Sequence, residues 1–378
     1  MKNIIKSIIC VICITVMMSM TALAEEAPAQ KVMTIEQAID YAEKNHPSII
    51  AAKSVTQANF VAIDEARANK LRANRASAPI SFYNASTTVE QTMLKSGVYV
   101  EIAKSTYEIS QIALEQTTEI IKLNVKGSFY SYLTAEERVK LYKSAWDLAV
   151  ERYNTGLLCY QQGLISAIDL EAMEMSIIAA ENEYNSAVRN AEIAKMNLNC
   201  AIGLPYDSDI MITGKIEYTP MPTILPDEAV KIAETKSNDI KRANAQLNMQ
   251  KQNFDGIAGF YSSNTYAYKQ AKGNYDAAVS STTAAIDNTK INIYKSYDTM
   301  ISAYKGYELA MKNESLNSRK YNIAKIQFEM GMISPSELES IANEYTESRI
   351  ALADATYGIL MASAQYEFSY TVGTISAK

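Results

Sequence analysis

The chain of 378 residues has few of the residue types that punctuate structure or carry chemistry: one histidine, one tryptophan, eight prolines, 13 glycines and four cysteines. One histidine excludes a three-histidine zinc centre and argues against imidazole-based catalysis. So few prolines and glycines leave most of the chain free to run as uninterrupted regular structure. Basic residues are outnumbered, 36 Lys+Arg against 42 Asp+Glu. A phosphate-binding protein needs the opposite balance, so nucleic acid is not an expected partner. There is no glycine-rich phosphate loop, no nucleophile elbow and no plausible catalytic triad, so neither an enzyme nor a bound cofactor or metal is expected.

What is present begins with residues 1–24, which read as a secretory leader. Lys2 and Lys6 supply the charged start, Ile8 to Met20 a short apolar run, and Ala22-Leu23-Ala24 a small-residue cleavage site. Cys10 and Cys13 sit in no lipoprotein box, so simple cleavage after Ala24 is expected. Without the leader the chain keeps 354 residues, 34 basic and 42 acidic, and a net charge of −8. No later apolar run approaches the roughly 20 residues that a membrane helix needs. Cys159 and Cys200 remain after cleavage. In an exported protein they could pair; the plainer reading is two buried, small apolar residues.

With 48% hydrophobic residues the chain can bury a large core. Prolines fall at 28, 47, 79, 205, 220, 222, 226 and 335, leaving 80–204 and 227–334 without one. From about Ala103 to Leu158 apolar residues recur three and four apart, among them Ile109, Ile112, Ile120, Leu123, Phe129, Leu133, Leu141, Ala145 and Leu148. That spacing predicts a single helix about 85 Å long, which must pack side by side with others. A second helix is predicted over Ser166–Ala201. The segment from Gly203 to Pro226 reads as a linker with one or two short strands. Helix resumes at Asp227, softens at Gly256–Gly273, continues to about Glu329, and a last helix covers Ser334–Thr371.

The halves repeat. Tyr153-Asn154 recurs as Tyr321-Asn322, and at the same offset of 168, GLISAIDLE (163–171) matches GMISPSELE (331–339) at five of nine positions. The openings also correspond, TIEQAIDYAEKNHPSIIAA (34–52) with LPDEAVKIAETKSNDIKRA (225–243), the first half carrying an extra stretch near 76–102. This implies a leader at 1–24, a first helical repeat at 25–203, a linker at 204–225 and a second repeat at 226–378. In each copy a glycine precedes Ser166 or Ser334, with Asp169 or Glu337 three residues beyond the serine. The pattern predicts helix, tight turn, helix: glycine as a left-handed cap, serine and carboxylate as a capping box, Pro335 at the first helical position. On that reading the two carboxylates serve as caps.

Together, the leader, the TIEQAIDYAEKNHPSI opening, the two hairpin copies and the turns YQQGLISAIDLE and FEMGMISPSELE resemble the TolC family of outer-membrane efflux proteins. The resemblance spans essentially the whole chain after the leader. It implies a mainly α fold of duplicated long hairpins that assemble as a homotrimer into a hollow α-barrel. It further implies a β-barrel in the outer membrane, to which each protomer contributes four strands. The partners implied are a periplasmic adaptor (membrane fusion protein) and an inner-membrane pump. Carried over position by position, Gly163, Leu164, Ile165 and Ser166 with Gly331, Met332, Ile333 and Ser334 are the adaptor-docking tip. Asp169 and Glu337 are then constriction carboxylates.

Two departures stand out. Where known members carry a basic latch residue two places after the second glycine, this chain has Ile333, which implies a gate held by apolar packing. Strand material is also scarce. SAPISFYNASTTVEQ and GVYVEIAK supply one short hairpin in the first half, and IAGFYSSNTYAYKQAKG no pair of strands in the second. A membrane strand needs about 9–11 residues.

His46 before Pro47 predicts a helix break, and Tyr294, Tyr297, Tyr304 and Tyr307 share a face suited to inter-helix packing with hydroxyls reaching water. Glu136-Glu137-Arg138 reads as a solvated helix face. The function implied is the outer conduit of an efflux or type I secretion system, located in the outer membrane and periplasm. The alternative is an envelope-associated coiled-coil protein of the same ancestry without a membrane pore, suited to a cell lacking an ordinary outer membrane.

Overall fold

The computed structural model describes residues 32–75, 85–216 and 218–374. The leader and its cleavage site lie outside the described residues, as do residues 77–84 of the first strand candidate. Nine helices and one pair of two-residue strands make up the regular structure of the described residues. They are β1 (Val32–Met33), α1 (Ile35–Asn45), α2 (Pro47–Arg75), α3 (Ala85–Ser96), α4 (Val98–Gln161), α5 (Ala167–Ile202), β2 (Met211–Ile212), α6 (Pro226–Lys236), α7 (Asn238–Ala258), α8 (Tyr266–Glu329) and α9 (Pro335–Thr371). β1 and β2 pair in parallel, Val32 opposite Met211.

The helix lengths repeat in order. α1 and α6 have 11 residues each, α4 and α8 have 64 each, and α5 and α9 have 36 and 37. The first half alone carries α3, which accounts for its extra stretch. A 64-residue helix is about 96 Å long, so α4 and α8 run the full height of the molecule. In one layer the helices lie in the order α5–α4–α9–α8, and in the other α2–α4–α7–α8. Each layer is therefore one helix thick and four wide, with α8 at one edge of both.

The core is concentrated at the waist between the layers, twice over. Ala38 and Ala42 of α1 are fully buried against Val125 and Phe129 of α4 and Leu198 and Ile202 of α5. Ala229 and Ala233 of α6 take the same part beside Ile293, Met300 and Tyr366. Methyl side chains allow these short helices to approach closely, and each buried apolar side chain contributes on the order of 1.5–3 kcal/mol. The break between α1 and α2 falls at His46, whose Nδ1 accepts the Ser48 N–H at 3.2 Å. Partial burial lowers its pKa, consistent with a neutral ring accepting at that nitrogen.

Tyrosines tie the linker and the start of α6 to the helices, and for Tyr304 the hydroxyl expected to reach water is instead bonded within the chain. Tyr304 donates to the Thr219 carbonyl at 2.7 Å, Tyr366 to that of Ile224 at 2.9 Å, and Tyr294 to the Asp227 carboxylate. Burial pushes the Tyr366 hydroxyl up to about 12, so it stays a donor at any physiological pH. Prolines deprive this linker of backbone donors, and side-chain donors from the helices meet its free carbonyls instead.

Other expectations also change. Val98–Lys104, read as part of a short hairpin, is the first turns of α4, and Ala85–Gln91 of the other candidate lies in α3. Val100 is buried on the inner face, and packing overrides the strand propensity of valine and tyrosine. In the second half, α7 and α8 are joined by residues 259–265 with no strand. Arg138 is not simply solvated: it crosses to α9 and pairs with Asp354. Cys159 and Cys200 are both free, and Cys200 is exposed, so neither the pair nor two buried cysteines is found. They sit near opposite ends of an antiparallel hairpin, too far apart for a disulfide.

Asp239 ties the two halves at the waist. Its side chain is 9% exposed and pairs with Arg242 at 2.9 Å, accepts from Gln116 of α4 at 3.2 Å, and accepts from the Thr374 backbone at 2.6 Å. Removing it strands four donors, since the Thr374 hydroxyl also donates to it at 2.7 Å. The variant Asp239→Ala is expected to lose about 3 kcal/mol, read as a lower urea midpoint. A midpoint equal to wild type would show that these contacts contribute nothing net.

Candidate docking tip

The hairpins α4–α5 and α8–α9 turn at the same end of the molecule, opposite α3 and the α7–α8 connection. Both turns are built alike, bond for bond. In the first, the Gly163 N–H donates to the Tyr160 carbonyl at 2.9 Å and that of Leu164 to Cys159 at 2.9 Å. In the second, Gly331 donates to Phe328 at 2.9 Å and Met332 to Gln327 at 2.8 Å. This is the glycine-terminated helix ending in which two reversed bonds satisfy the last carbonyls. It requires a left-handed residue, and the φ angles are +72° at Gly163 and +69° at Gly331. A side chain there would meet open space, so the demand for glycine is purely conformational.

Ser166 and Ser334 then cap α5 and α9, accepting the backbone N–H of Asp169 and Glu337 at 3.2 Å each. Only the first copy closes the box. The Asp169 carboxylate accepts the Ser166 N–H at 3.0 Å and its hydroxyl at 2.7 Å, whereas Glu337 makes no return contact. Glu337 is longer and fully hydrated, so holding that contact would cost it more rotamer freedom. The expected second box is therefore half formed. In the first box the bonds from Ser166 hold the Asp169 carboxyl below the ordinary value of 3.8.

Beyond each glycine the order of exposure is the same. Leu164 and Met332 are each 68% exposed, Ile165 and Ile333 are half-buried, and both serines are exposed. The tip thus presents apolar side chains to solvent, joined by Leu158, Ile168 and Met330. Segments 158–174 and 326–341 surround them with six carboxylates and no basic residue. The structure brings all eight tip residues and both carboxylates to one end, each hairpin contributing half. The two hairpins are held together by α4 and α9, where Arg138 pairs with Asp354.

One set of residues escapes a reading based on the turns alone. Leu309, Leu316, Ile323 and Met330 lie seven apart along the free edge of α8, and all are exposed. On the opposite edge, α5 exposes Ile168, Met175, Ile178, Ile193 and Met196. The seven-residue spacing was the available signal.

No protein-family profile matches the sequence, and no curated protein matches it. Solved structures do. A membrane protein from Pseudomonas aeruginosa superposes with a TM-score of 0.74 at 13% identity, covering 90% of each chain. The CmeC outer membrane channel of Campylobacter jejuni gives 0.69 at 15% identity, over 93% of this chain and 90% of that one. The open-state MtrE outer membrane channel of Neisseria gonorrhoeae gives 0.71 at 14%, over 90% and 89%. The chain therefore has the TolC-like fold of these channels, and its described residues are mainly α, in duplicated long hairpins, with almost no strand.

The capping geometry makes a pH prediction. Because the folded pKa of Asp169 is depressed, its cap is intact above the ordinary aspartate value and is lost as pH falls through the lower folded one. Hydrogen-exchange protection of the Ser166 N–H, which the carboxylate accepts, should drop over that interval, and Ser166→Ala should lower protection of the Asp169 N–H already at neutral pH. Protection unchanged in both experiments would contradict the cap.

Proposed function

We propose that three copies of this chain close edge to edge into a hollow helical conduit, the outer component of an efflux or type I secretion assembly. Such a conduit passes small molecules or proteins without catalysis. The observation that carries the reading is the unpartnered heptad edge of α8 facing outward opposite the apolar edge of α5. A layer one helix thick cannot bury both edges within one chain, and a ring of copies buries every one. The tip of Gly163, Leu164, Ile165, Ser166, Gly331, Met332, Ile333 and Ser334 then becomes a crown that receives a periplasmic adaptor. Asp169 and Glu337 stand beside the opening, and an inner-membrane pump supplies the energy.

The leader-like start supports export to the envelope. The chain divides at 204–225 into two repeats, and the linker serves as a strap around the waist. An envelope-associated coiled-coil protein without a membrane pore is the second reading, favoured by the short α7–α8 connection. The tip separates the two, since only a conduit needs it to engage an adaptor.

Two outcomes are expected. Leu316→Glu places a charge in each edge contact and should convert the assembly to monomers in sedimentation analysis; a variant that sediments as wild type would remove the edge from the argument. Gly163→Val with Gly331→Val puts a branched residue at positive φ, at about 1–2 kcal/mol each. Capture of the cognate adaptor should fall at least about tenfold while the circular dichroism stays helical. Undiminished capture would sink the docking role.

A further inference from the structure

The end of the molecule opposite the tips has a different chemistry. It comprises the last turns of α2, the helix α3, the start of α4, the end of α7 and the start of α8. Within residues 68–75, 85–104 and 255–269 there are six basic residues, Lys70, Arg72, Arg75, Lys95, Lys104 and Lys269, against three acids, Glu90, Glu101 and Asp255. The tip segments are wholly acidic, so a chain that is acidic overall is polarised along its length. Arg72, Arg75 and Lys269 are exposed.

Large apolar side chains stand among these charges. Leu71 and Phe260, each about half exposed, line one groove with Lys70, Val98, Glu101 and Asp255, and Tyr266 at the start of α8 is 93% exposed. Exposed tyrosine, phenylalanine and arginine at one end of the molecule are the composition of a membrane-interface anchor, in which rings sit at headgroup depth and cations meet phosphates.

The chain length at this end limits what such contact can be. α7 and α8 are joined by the seven residues 259–265, and α2 and α3 are separated by nine positions, 76–84. One membrane-spanning strand takes about 9–11 residues and a hairpin about twice that. The seven-residue connection cannot cross a bilayer and return.

We infer that this basic, aromatic end seats the protein on an anionic lipid surface without spanning it. The inference goes beyond the conduit reading and stands apart from it, because a single chain carries the whole surface. Lipid rather than a soluble polyanion is the occupant because the exposed rings have no use in binding a purely ionic polymer.

The experiment is sedimentation of residues 25–378 with vesicles of phosphatidylcholine containing about one third phosphatidylglycerol, against pure phosphatidylcholine. The expected result is binding to the anionic vesicles alone, release by 1 M salt or by alkaline wash, and at least about tenfold weaker binding for Arg72→Glu/Arg75→Glu/Lys269→Glu. Phe260→Ser/Tyr266→Ser should also bind more weakly. A control with three charges reversed near the tips, Arg319→Glu/Lys320→Glu/Lys325→Glu, should bind as wild type, which separates location from net charge. No binding at low salt, or a distal variant that binds undiminished, overturns the inference. Resistance to the alkaline wash overturns it by showing a spanning segment. Full binding by the aromatic variant overturns the choice of lipid.

Discussion

The structure depends on one constraint: helices of 64 residues with apolar stripes cannot bury those stripes against themselves. α4 solves this within the chain, flanked on both sides in both layers. α8 does not, because one long face of it has no neighbour. Everything else serves to hold long helices in register. Paired alanines bring α1 and α6 onto the waist, tyrosine hydroxyls fasten the linker, and Asp239 joins α7, α4 and the chain's last described residues. Isolated ion pairs on these helices are exposed and contribute little. The buried waist carries the stability, while the layers above and below it gain theirs from packing along their length.

Duplication explains why the two tips agree so closely. Both copies use glycine at positive φ, a half-buried isoleucine and a serine cap, although their sequences match at only five of nine positions there. Three of the matching positions, the glycine, the isoleucine and the serine, are those the turn uses. The carboxylate has drifted, and with it the box: aspartate closes it and glutamate does not.

Much of this was legible in the sequence because helices announce themselves locally. Pro47, Gly163, Ser166, Gly203, Pro226, Gly331 and Ser334 mark ends that the structure places within a residue or two. Valine and tyrosine at 98–100 misled, because strand propensity in a short segment yields to burial of Val100 on a helix face. Arg138 and Asp239 could not be read, since their partners lie 216 and 123–135 residues away and no local pattern encodes such distances. The free edge of α8 was readable as a heptad, but periodicity cannot say which stripe has a partner inside the chain.

In the proposed conduit the free edges of α8 and α5 close on one another between copies. Cryo-electron microscopy of residues 25–378 should show three-fold symmetric rings in which twelve helices surround a hollow centre, α8 of each chain against α5 of the next. Particles containing a single four-helix-wide slab, at concentrations where the protein is otherwise well behaved, would contradict it.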